Sequence, residues 1–507
     1  MTAAAKPAGD AGWRFHRAVL LLAVGLTAVR LLAAGAIHLT EDEAYYRLWA
    51  QHLQLGYFDH PPMIAWWIRA GEMVAGDTAL GVRLLPALAS GVATWFIADL
   101  ALRLGAQART AFRAALWYNA TLTVCVGGML ATPDSPASLF WTVALWCLAH
   151  YWEKGRTAWW LAAGAAAGLA VLSKYSGLFL APGVLLWLLM IPGGRAELRR
   201  PGPWEGALLA IFVFAPNVVW NSDHHWITFL KQFGRVAPHA AAPVHVAEFL
   251  ATQFLLLTPL IAIFAWQGVR QGWRERARSG AVHLMLPIAT SAPFALYMLI
   301  HAVHDRVQGH WPVPLFAALA ICAAVAAERS ERTRLGRIAA RLAPAVGLCL
   351  GAATLALMAA PGPPLFGGAD PSLALRGWPR FSRDVEALRI ATGAAWVGTQ
   401  SYGASAQLTL AGGIAAPVLQ LIERDRYWSA DTPRPDFTRP GLVVDISRRL
   451  KRANVLRCFT SVSPAGELGR AGGVGRNQRY AAFLVSGPRR DVWSQGCPAE
   501  ISPGAWR

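Results

Sequence analysis

Long apolar blocks dominate the first 361 positions, separated by short clusters of charge, Pro or Gly. They fall at 18–38, 80–102, 113–131, 136–151, 158–173, 177–192, 204–220, 249–268, 282–302, 311–327 and 342–361. A helix needs roughly 20 apolar residues to cross a bilayer, so the pattern predicts an all-α polytopic membrane unit of about 11–13 transmembrane helices. The blocks at 136–151 and 158–173 are short and read as tilted or partial spans. One stretch breaks the pattern: "TEDEAYYRLWAQHLQLGYFDHPPMIAWWIR", residues 40–69, is too polar to span. Its Tyr45, Leu48, Trp49, His52 and Leu53, then Met63, Trp66 and Trp67, recur at helical spacing. They predict two short amphipathic helices on the membrane surface, joined at Tyr57-Phe58-Asp59-His60-Pro61-Pro62.

The pattern changes again in the tail. "AAWVGTQSYGASAQLTLAGG" reads as strand, turn and helix, and "GLVVDI" and "YAAFLVSG" are short β-like runs. The expected organisation is a membrane unit at 1–361, with a catalytic outer loop at 39–79, and a small α/β extracytoplasmic domain at 362–507. The tail holds Cys458 and Cys497, and an oxidising compartment permits one disulfide between them.

Composition agrees with the membrane reading. Hydrophobic residues make up 55% of the chain and charged residues 15%, against about a quarter charged in soluble domains. The net charge of +18 would suggest nucleic acid in a soluble protein, but here its distribution sets orientation. Lys6, Arg14, Arg17; Arg103, Arg109, Arg113; Lys154, Arg156; Arg195, Arg199, Arg200; Arg270, Arg274, Arg276, Arg278; and Arg329, Arg332, Arg334, Arg337, Arg341 fall on one side of the alternating layout. The other side has only Arg47, Arg69, Lys174, Lys231, Arg235 and Arg306. The basic side is cytoplasmic, so the N-terminus is expected inside and the tail outside. Ala34-Gly35-Ala36 resembles a signal-peptidase site, but the block before it is long for a signal peptide and many spans follow; it reads as an uncleaved first helix.

This layout gathers distinctive ionisable groups on the outer face. His38, His52, His60, His224, His225, His239, His245, His301, His304 and His310 fall on or near it. Thr40 and Glu43 form a capping-box pattern, which leaves Asp42, Asp59 and His60 unexplained. Asp134 in "LATPDSPASLFW" lies between two spans, where an acid is costly unless it meets water or a partner; capping the next helix is the structural alternative. Lys174, followed by Tyr175 in "VLSKYSGLFLAP", is the one basic residue of a very short outer loop. It is a candidate phosphate ligand, or a lysine that snorkels to the interface. "PNVVWNSDHHWITFLKQF" and "HAVHDRVQGHWPVP" are outer loops dense in His, Arg and Trp, suited either to an aromatic belt or to an anionic headgroup. His301 and His304 share a helical face, so a divalent metal is an alternative there. No cofactor is otherwise expected.

In order, "DEAYYRLWAQHLQLGYFDHPP", "TPDSP", "SKYSG", "PNVVWNSDHHWITF" and "VQGHWPVP" resemble the bacterial protein-mannosyltransferase-like superfamily, over about 1–330. This group includes the lipid A aminoarabinose transferase and the lipopolysaccharide galacturonic acid transferases. The resemblance implies a GT-C membrane fold and an inner-membrane glycosyltransferase with a periplasmic tail. Such an enzyme moves a sugar from a polyprenyl-phosphate donor to a cell-surface glycolipid or glycan, working among membrane lipids with no nucleotide-sugar and no nucleic acid. It implies catalytic roles for the acidic pair Asp42-Glu43 and for Asp134. The aminoarabinose transferase carries acid-Lys-Pro-Pro in the first loop, where this chain has Asp59-His60-Pro61-Pro62, so the charge at 60 depends on pH.

Glycosyl transfer from a phosphate ester requires a carboxylate to accept the attacking hydroxyl's proton and cations to hold the leaving phosphate. Asp42 is the expected base. Asp59, His60, Lys174, Tyr175, Arg306 and His310 are the expected substrate-binding residues. Two alternatives are a sugar-lipid flippase and a protein O-glycosyltransferase. A transporter keeps its ionisable groups near the bilayer midplane, whereas here they gather at one face.

Overall fold

The computed structural model describes residues 10–234, 243–276, 282–359, 363–427 and 433–498. Lys6, Arg235, His239 and Arg278 lie outside the described residues. Internal contacts divide the chain into two units: 1–34 with 59–356, and 35–58 with 357–507. The first outer loop, expected as one piece at 39–79, is cut between Phe58 and Asp59.

The first unit is helical. Among the described residues six helices are long and apolar enough to cross a membrane: Gly12–Ala36, Ala79–Arg103, Pro201–Asp223, Leu284–His304, Val313–Ser330 and Arg334–Ala359. The bent pair Pro243–Leu256 and Pro259–Arg274 passes the same test together, as one broken span or a re-entrant loop. Each remaining apolar block also has a helix, among them Asp134–Lys154 and the shorter Ala158–Ser173. Two blocks expected as single rods are broken, for local reasons. The block at 113–131 becomes Ala108–Ala120 and Leu122–Gly127, because the Thr121 hydroxyl donates to the Tyr118 carbonyl and accepts from the Val124 N–H, capping a new helix. The block at 249–268 bends by 106°. The residue before a proline is disfavoured in helical conformation, and Thr258, at φ 68°, precedes Pro259. The buried Thr258 hydroxyl donates to the Ala120 carbonyl at 3.0 Å, so the two breaks support each other.

Helices in lipid pack through small residues that let backbones approach. Gly164 shows this: a Cβ there would lie 2.0 Å from the Gly206 carbonyl oxygen, where Ala158–Ser173 crosses Pro201–Asp223.

The second unit is built on a mixed sheet of five strands, β1 (Trp396–Thr399), β2 (Val418–Gln420), β3 (Gly441–Ile446), β4 (Phe459–Gly469) and β5 (Arg479–Pro488), in the order β2-β1-β3-β5-β4. β1 pairs parallel with β2 and β3, and β5 pairs antiparallel with β3 and β4. Successive side chains of a strand point to opposite faces. Accordingly Val397, Leu442 and Val444 join one core with Trp378, Phe381 and Leu408, while Trp396 and Val443 join the other with Leu450, Phe459 and Val492. Cover on both faces makes β1, β2 and β3 buried throughout.

β1, β3 and β5 and the helix Tyr402–Leu410 fall where the pattern predicts them. β2 has only three residues, and β4 carries Pro464 and Gly466 at a register shift on the sheet edge, so neither has a strand-like pattern. Cys458 and Cys497 are joined. The two expected helices are present as Glu41–Gln51, in this unit and buried over residues 43–50, and Met63–Ala75, in the first unit.

Candidate functional site

In the membrane unit ionisable residues of three separate loops meet. Asp134 opens the helix Asp134–Lys154, with Pro133 at the cap position and no side-chain capping hydrogen bond. The capping alternative therefore does not describe it. Its Oδ1 accepts from Lys174 Nζ at 2.6 Å, and its Oδ2 lies 3.7 Å from His310 Nε2. The helix dipole adds to the preference for a negative charge there. Asp134 is buried and the Lys174 side chain is 14% exposed, so this pair is shielded from screening by solvent.

Lys174 is aimed by its backbone. It ends the helix Ala158–Ser173 in extended conformation, and its N–H still bonds the Ala170 carbonyl. Its ammonium lies 6.0 Å from the centre of the Trp311 ring. Directly after it, the buried Tyr175 hydroxyl donates to Asn217 Oδ1 at 3.0 Å, and Asn221 Nδ2 reaches the same hydroxyl at 3.5 Å. This ties the lysine's turn to the end of the helix Pro201–Asp223.

The remaining candidates of this unit are Arg306, Asp59 and His60. Arg306, which is exposed, pairs with Glu248 of the helix Pro243–Leu256. Asp59 is buried, and its backbone carbonyl accepts from Gln232 Nε2 of the helix Ile227–Gly234. His60 is partly buried beside it in the chain. The His301 ring packs near Tyr297 and Trp311. Among the described residues no group of three or more His, Cys, Asp or Glu side chains is placed to hold a metal ion.

In the second unit the first-loop acids have three different settings on one turn of helix. Glu43 is buried and completes the capping box: its Oε2 accepts from the Thr40 N–H at 2.9 Å, and Thr40 Oγ1 accepts from the Glu43 N–H at 3.1 Å. Burial raises the Glu41 carboxyl above its ordinary range; Arg470 opposes this, and the Asp42 charge adds to it. Asp42 accepts a hydrogen bond at Oδ1 from the Tyr402 hydroxyl, at 2.6 Å. Tyr402 and the nearby Arg426 were not among the residues expected to act.

The geometry can be set beside known proteins. Residues 59–220 match the family described as dolichyl-phosphate-mannose-protein mannosyltransferase. The chain is similar to the lipid A galacturonosyltransferase RgtD of Rhizobium johnstonii, at 31% identity over 61% of this chain and 65% of the relative. It is also similar to the undecaprenyl phosphate-alpha-4-amino-4-deoxy-L-arabinose arabinosyl transferase 1 of Pseudomonas fluorescens, at 26% identity over 56% of this chain and 55% of the relative. The match thus spans less than two thirds of each of these curated relatives. In fold, the chain is similar to the crystal structure of ArnT from Cupriavidus metallidurans bound to undecaprenyl phosphate, with a TM-score of 0.63, 16% identity, and coverage of 94% of this chain and 98% of that one. The oligosaccharyltransferase of Archaeoglobus fulgidus is a more distant likeness, at TM-score 0.53 and 13% identity over 87% of this chain and 69% of that one. The resemblance to the protein-mannosyltransferase-like superfamily is borne out, and the chain has the ArnT-like GT-C fold.

Proposed function

We propose that this protein is an integral-membrane glycosyltransferase that moves a sugar from a polyprenyl-phosphate donor to a cell-surface glycolipid, with lipid A as the first acceptor to test. One observation carries the reading: Asp134, Lys174 and His310 come together in the membrane unit from three loops that charge bias alone assigns to one side. A cation so held suits the phosphate of a lipid-linked sugar. The names of the relatives, a lipid A galacturonosyltransferase and an undecaprenyl-phosphate aminoarabinose transferase, agree with that chemistry.

In the proposed reaction an acceptor hydroxyl attacks the anomeric carbon. Asp42 takes the hydroxyl proton as the new C–O bond forms. The bond from the anomeric carbon to the phosphate oxygen breaks, and the electron pair leaves with the lipid phosphate. Lys174, steadied by Asp134, and His310 in its protonated form balance the charge on that phosphate. The leaving group is an anion from the start, so side-chain cations suffice to hold it. The reaction is assigned to the periplasmic face, with the N-terminus in the cytoplasm and the 357–507 unit outside.

The test is transfer by the purified protein in lipid nanodiscs. Undecaprenyl-phosphate-linked galacturonic acid or aminoarabinose is offered with lipid A, and products are read by mass spectrometry. Appearance of glycosylated lipid A with release of undecaprenyl phosphate is the expected result. Movement of the intact donor across the bilayer without bond cleavage would overturn it in favour of a flippase. A reporter fused after Arg332 should read cytoplasmic and one after Arg507 external; the reverse would overturn the assigned face.

A further inference from the structure

We propose that Tyr402, carried by the sheet-bearing part of the second unit, is a positioning residue for the Asp42 carboxylate. The inference rests on the reading of Asp42 as proton acceptor. It adds that residues from 357 onward take part in the reaction through this phenol.

The contact is short and its donor is well supported. The Tyr402 hydroxyl donates to Asp42 Oδ1 at 2.6 Å, the length of a strong hydrogen bond to a carboxylate. Rotation of an aspartate about its last bond is soft, and a carboxylate that takes a proton has to present its oxygens in one orientation. A fixed phenol on Oδ1 sets that orientation.

Tyr402 itself has little freedom. It is the first residue of the helix Tyr402–Leu410, which Ser401 caps through its side chain. The N–H groups of Gln400 and Ser401, just before it, both donate at 2.7 Å to Oδ2 of the buried Asp445 at the end of β3. Its carbonyl accepts from the Tyr427 hydroxyl at 2.6 Å. The Arg426 guanidinium lies 4.6 Å from the centre of its ring and also pairs with Glu423. The Tyr45 ring, one turn along the helix from Asp42, packs 5.0 Å from the Tyr402 ring, and the Tyr45 hydroxyl donates to the Arg426 carbonyl. The phenol is thus held at the turn before it, at its backbone and across its ring face.

Gly403 adds an independent sign that this approach is built in. A Cβ at 403 would lie 2.5 Å from Glu41 Oε2 and 2.6 Å from Glu41 Cβ. Only glycine lets the helix Tyr402–Leu410 come close enough to Glu41–Gln51 for its first residue to reach Asp42.

The test uses the full-length protein with saturating donor and acceptor, and compares Tyr402→Phe, Asp42→Asn and the double variant. Tyr402→Phe keeps the ring contacts and removes only the donated hydrogen bond. It should lower kcat about 10- to 100-fold, the worth of a hydrogen bond to a charged group, with little change in donor KM. The two losses should not multiply, because the phenol acts through the carboxylate. An undiminished kcat for Tyr402→Phe, with Asp42→Asn inactive, overturns the inference and leaves the base assignment standing. Equal fold-losses from Tyr402→Phe with and without Asp42 also overturn it, since a purely structural role would give that result. Wild-type turnover by Asp42→Asn overturns the base assignment itself, and this inference with it. If Tyr402→Phe does not fold, Tyr427→Phe loosens the same backbone without touching the ring. It must then lower kcat with donor KM unchanged, and a wild-type kcat overturns the inference.

Discussion

Asp134 and Asp42 are both acids beside apolar helices, and one close contact of each differs in kind. Asp134 in the membrane unit is bound by an ammonium at 2.6 Å, with an imidazole at 3.7 Å. Asp42 in the second unit is bound at 2.6 Å by a phenol. An ammonium balances the whole negative charge and fixes a cation in place. A phenol leaves the net charge on the carboxylate and fixes its direction. The first arrangement suits electrostatic work on a phosphate, and the second suits proton transfer. The two acids, which the sequence resemblance places in one catalytic set, are therefore expected to fail in different ways.

The largest effect should come from Asp42→Asn. The change is nearly isosteric but removes the proton acceptor, and loss of a positioned base costs about 10²–10⁴-fold in turnover. Raising the donor concentration should not restore it. Steady-state rates across donor concentration check this, and a rate that recovers with donor would put Asp42 in binding instead. Glu43→Gln should be far milder, because glutamine can also close the capping box. A comparable loss there would transfer the base role to Glu43.

Next in size is Lys174→Ala. It should raise donor KM about 10- to 100-fold through loss of a charge-assisted hydrogen bond, and activity should return in large part at high donor. It also takes the ammonium from a buried carboxylate, and breaking a buried pair typically costs about 3–5 kcal/mol of stability, less whatever the imidazole of His310 offsets. The paired change Asp134→Leu with Lys174→Met separates these effects. It should recover most of the stability, as isosteric replacement of a buried ion pair often does, while donor affinity stays low. Thermal melts and donor titrations on the same preparations decide it. Full donor affinity in the paired variant would show that Lys174 only braces the fold.

The two regions also differ in how readable they were. Asp42, Asp134 and Lys174 stand out in the sequence because a charge inside an apolar pattern is anomalous wherever it ends up. Counting Lys and Arg puts Asp134, Lys174 and His310 on one side before any distance is known. Tyr402 carries no such mark. A tyrosine after a short strand is ordinary, and its partner lies 360 positions away. Only tertiary structure brings them together. Arg306, a phosphate-ligand candidate by loop and charge, pairs with Glu248, a partner that the sequence does not announce. The helix breaks at Thr121 and Thr258 were hidden for a related reason. Apolar periodicity reports burial in lipid, while the breaks come from a hydroxyl cap and a pre-proline residue. β2 and β4 were missed because a strand of three residues and one bearing Pro464 and Gly466 give no alternating signal.

A smaller effect is expected of Gly403→Ala. Overpacking of a close contact costs about 1–3 kcal/mol, and here the strain falls between Tyr402–Leu410 and Glu41–Gln51. Turnover should drop by less than in Tyr402→Phe, because the phenol remains and its bond is only displaced. Paired measurement of melting temperature and kcat checks this. A destabilised variant with full kcat would show that the spacing of these two helices does not matter to the reaction.

The smallest effect on turnover should come from breaking Cys458–Cys497, which closes 39 positions of chain. Cys458 lies in the core face that holds Trp396, Leu450 and Phe459, and Cys497 packs at its edge. The Cys497 N–H donates to the Leu421 carbonyl, so the bond pins the end of the described chain just beyond β2. Both cysteines lie outside the helices Glu41–Gln51 and Tyr402–Leu410 that carry Asp42 and Tyr402. In the chain-entropy account a loop of that length is worth about 4 kcal/mol to the folded state, through restriction of the unfolded chain. The paired Cys458→Ser, Cys497→Ser variant should therefore melt at lower temperature, with kcat near wild type well below the melt. Nonreducing peptide mapping establishes the bond in the parent protein, and the melt and rate follow on the variant. A fall in kcat matching that of Tyr402→Phe, at a temperature where the variant is folded, would mean that the distant end of the sheet also governs the position of the phenol. The division of labour would then lie across the whole second unit instead of at the Tyr402–Asp42 contact.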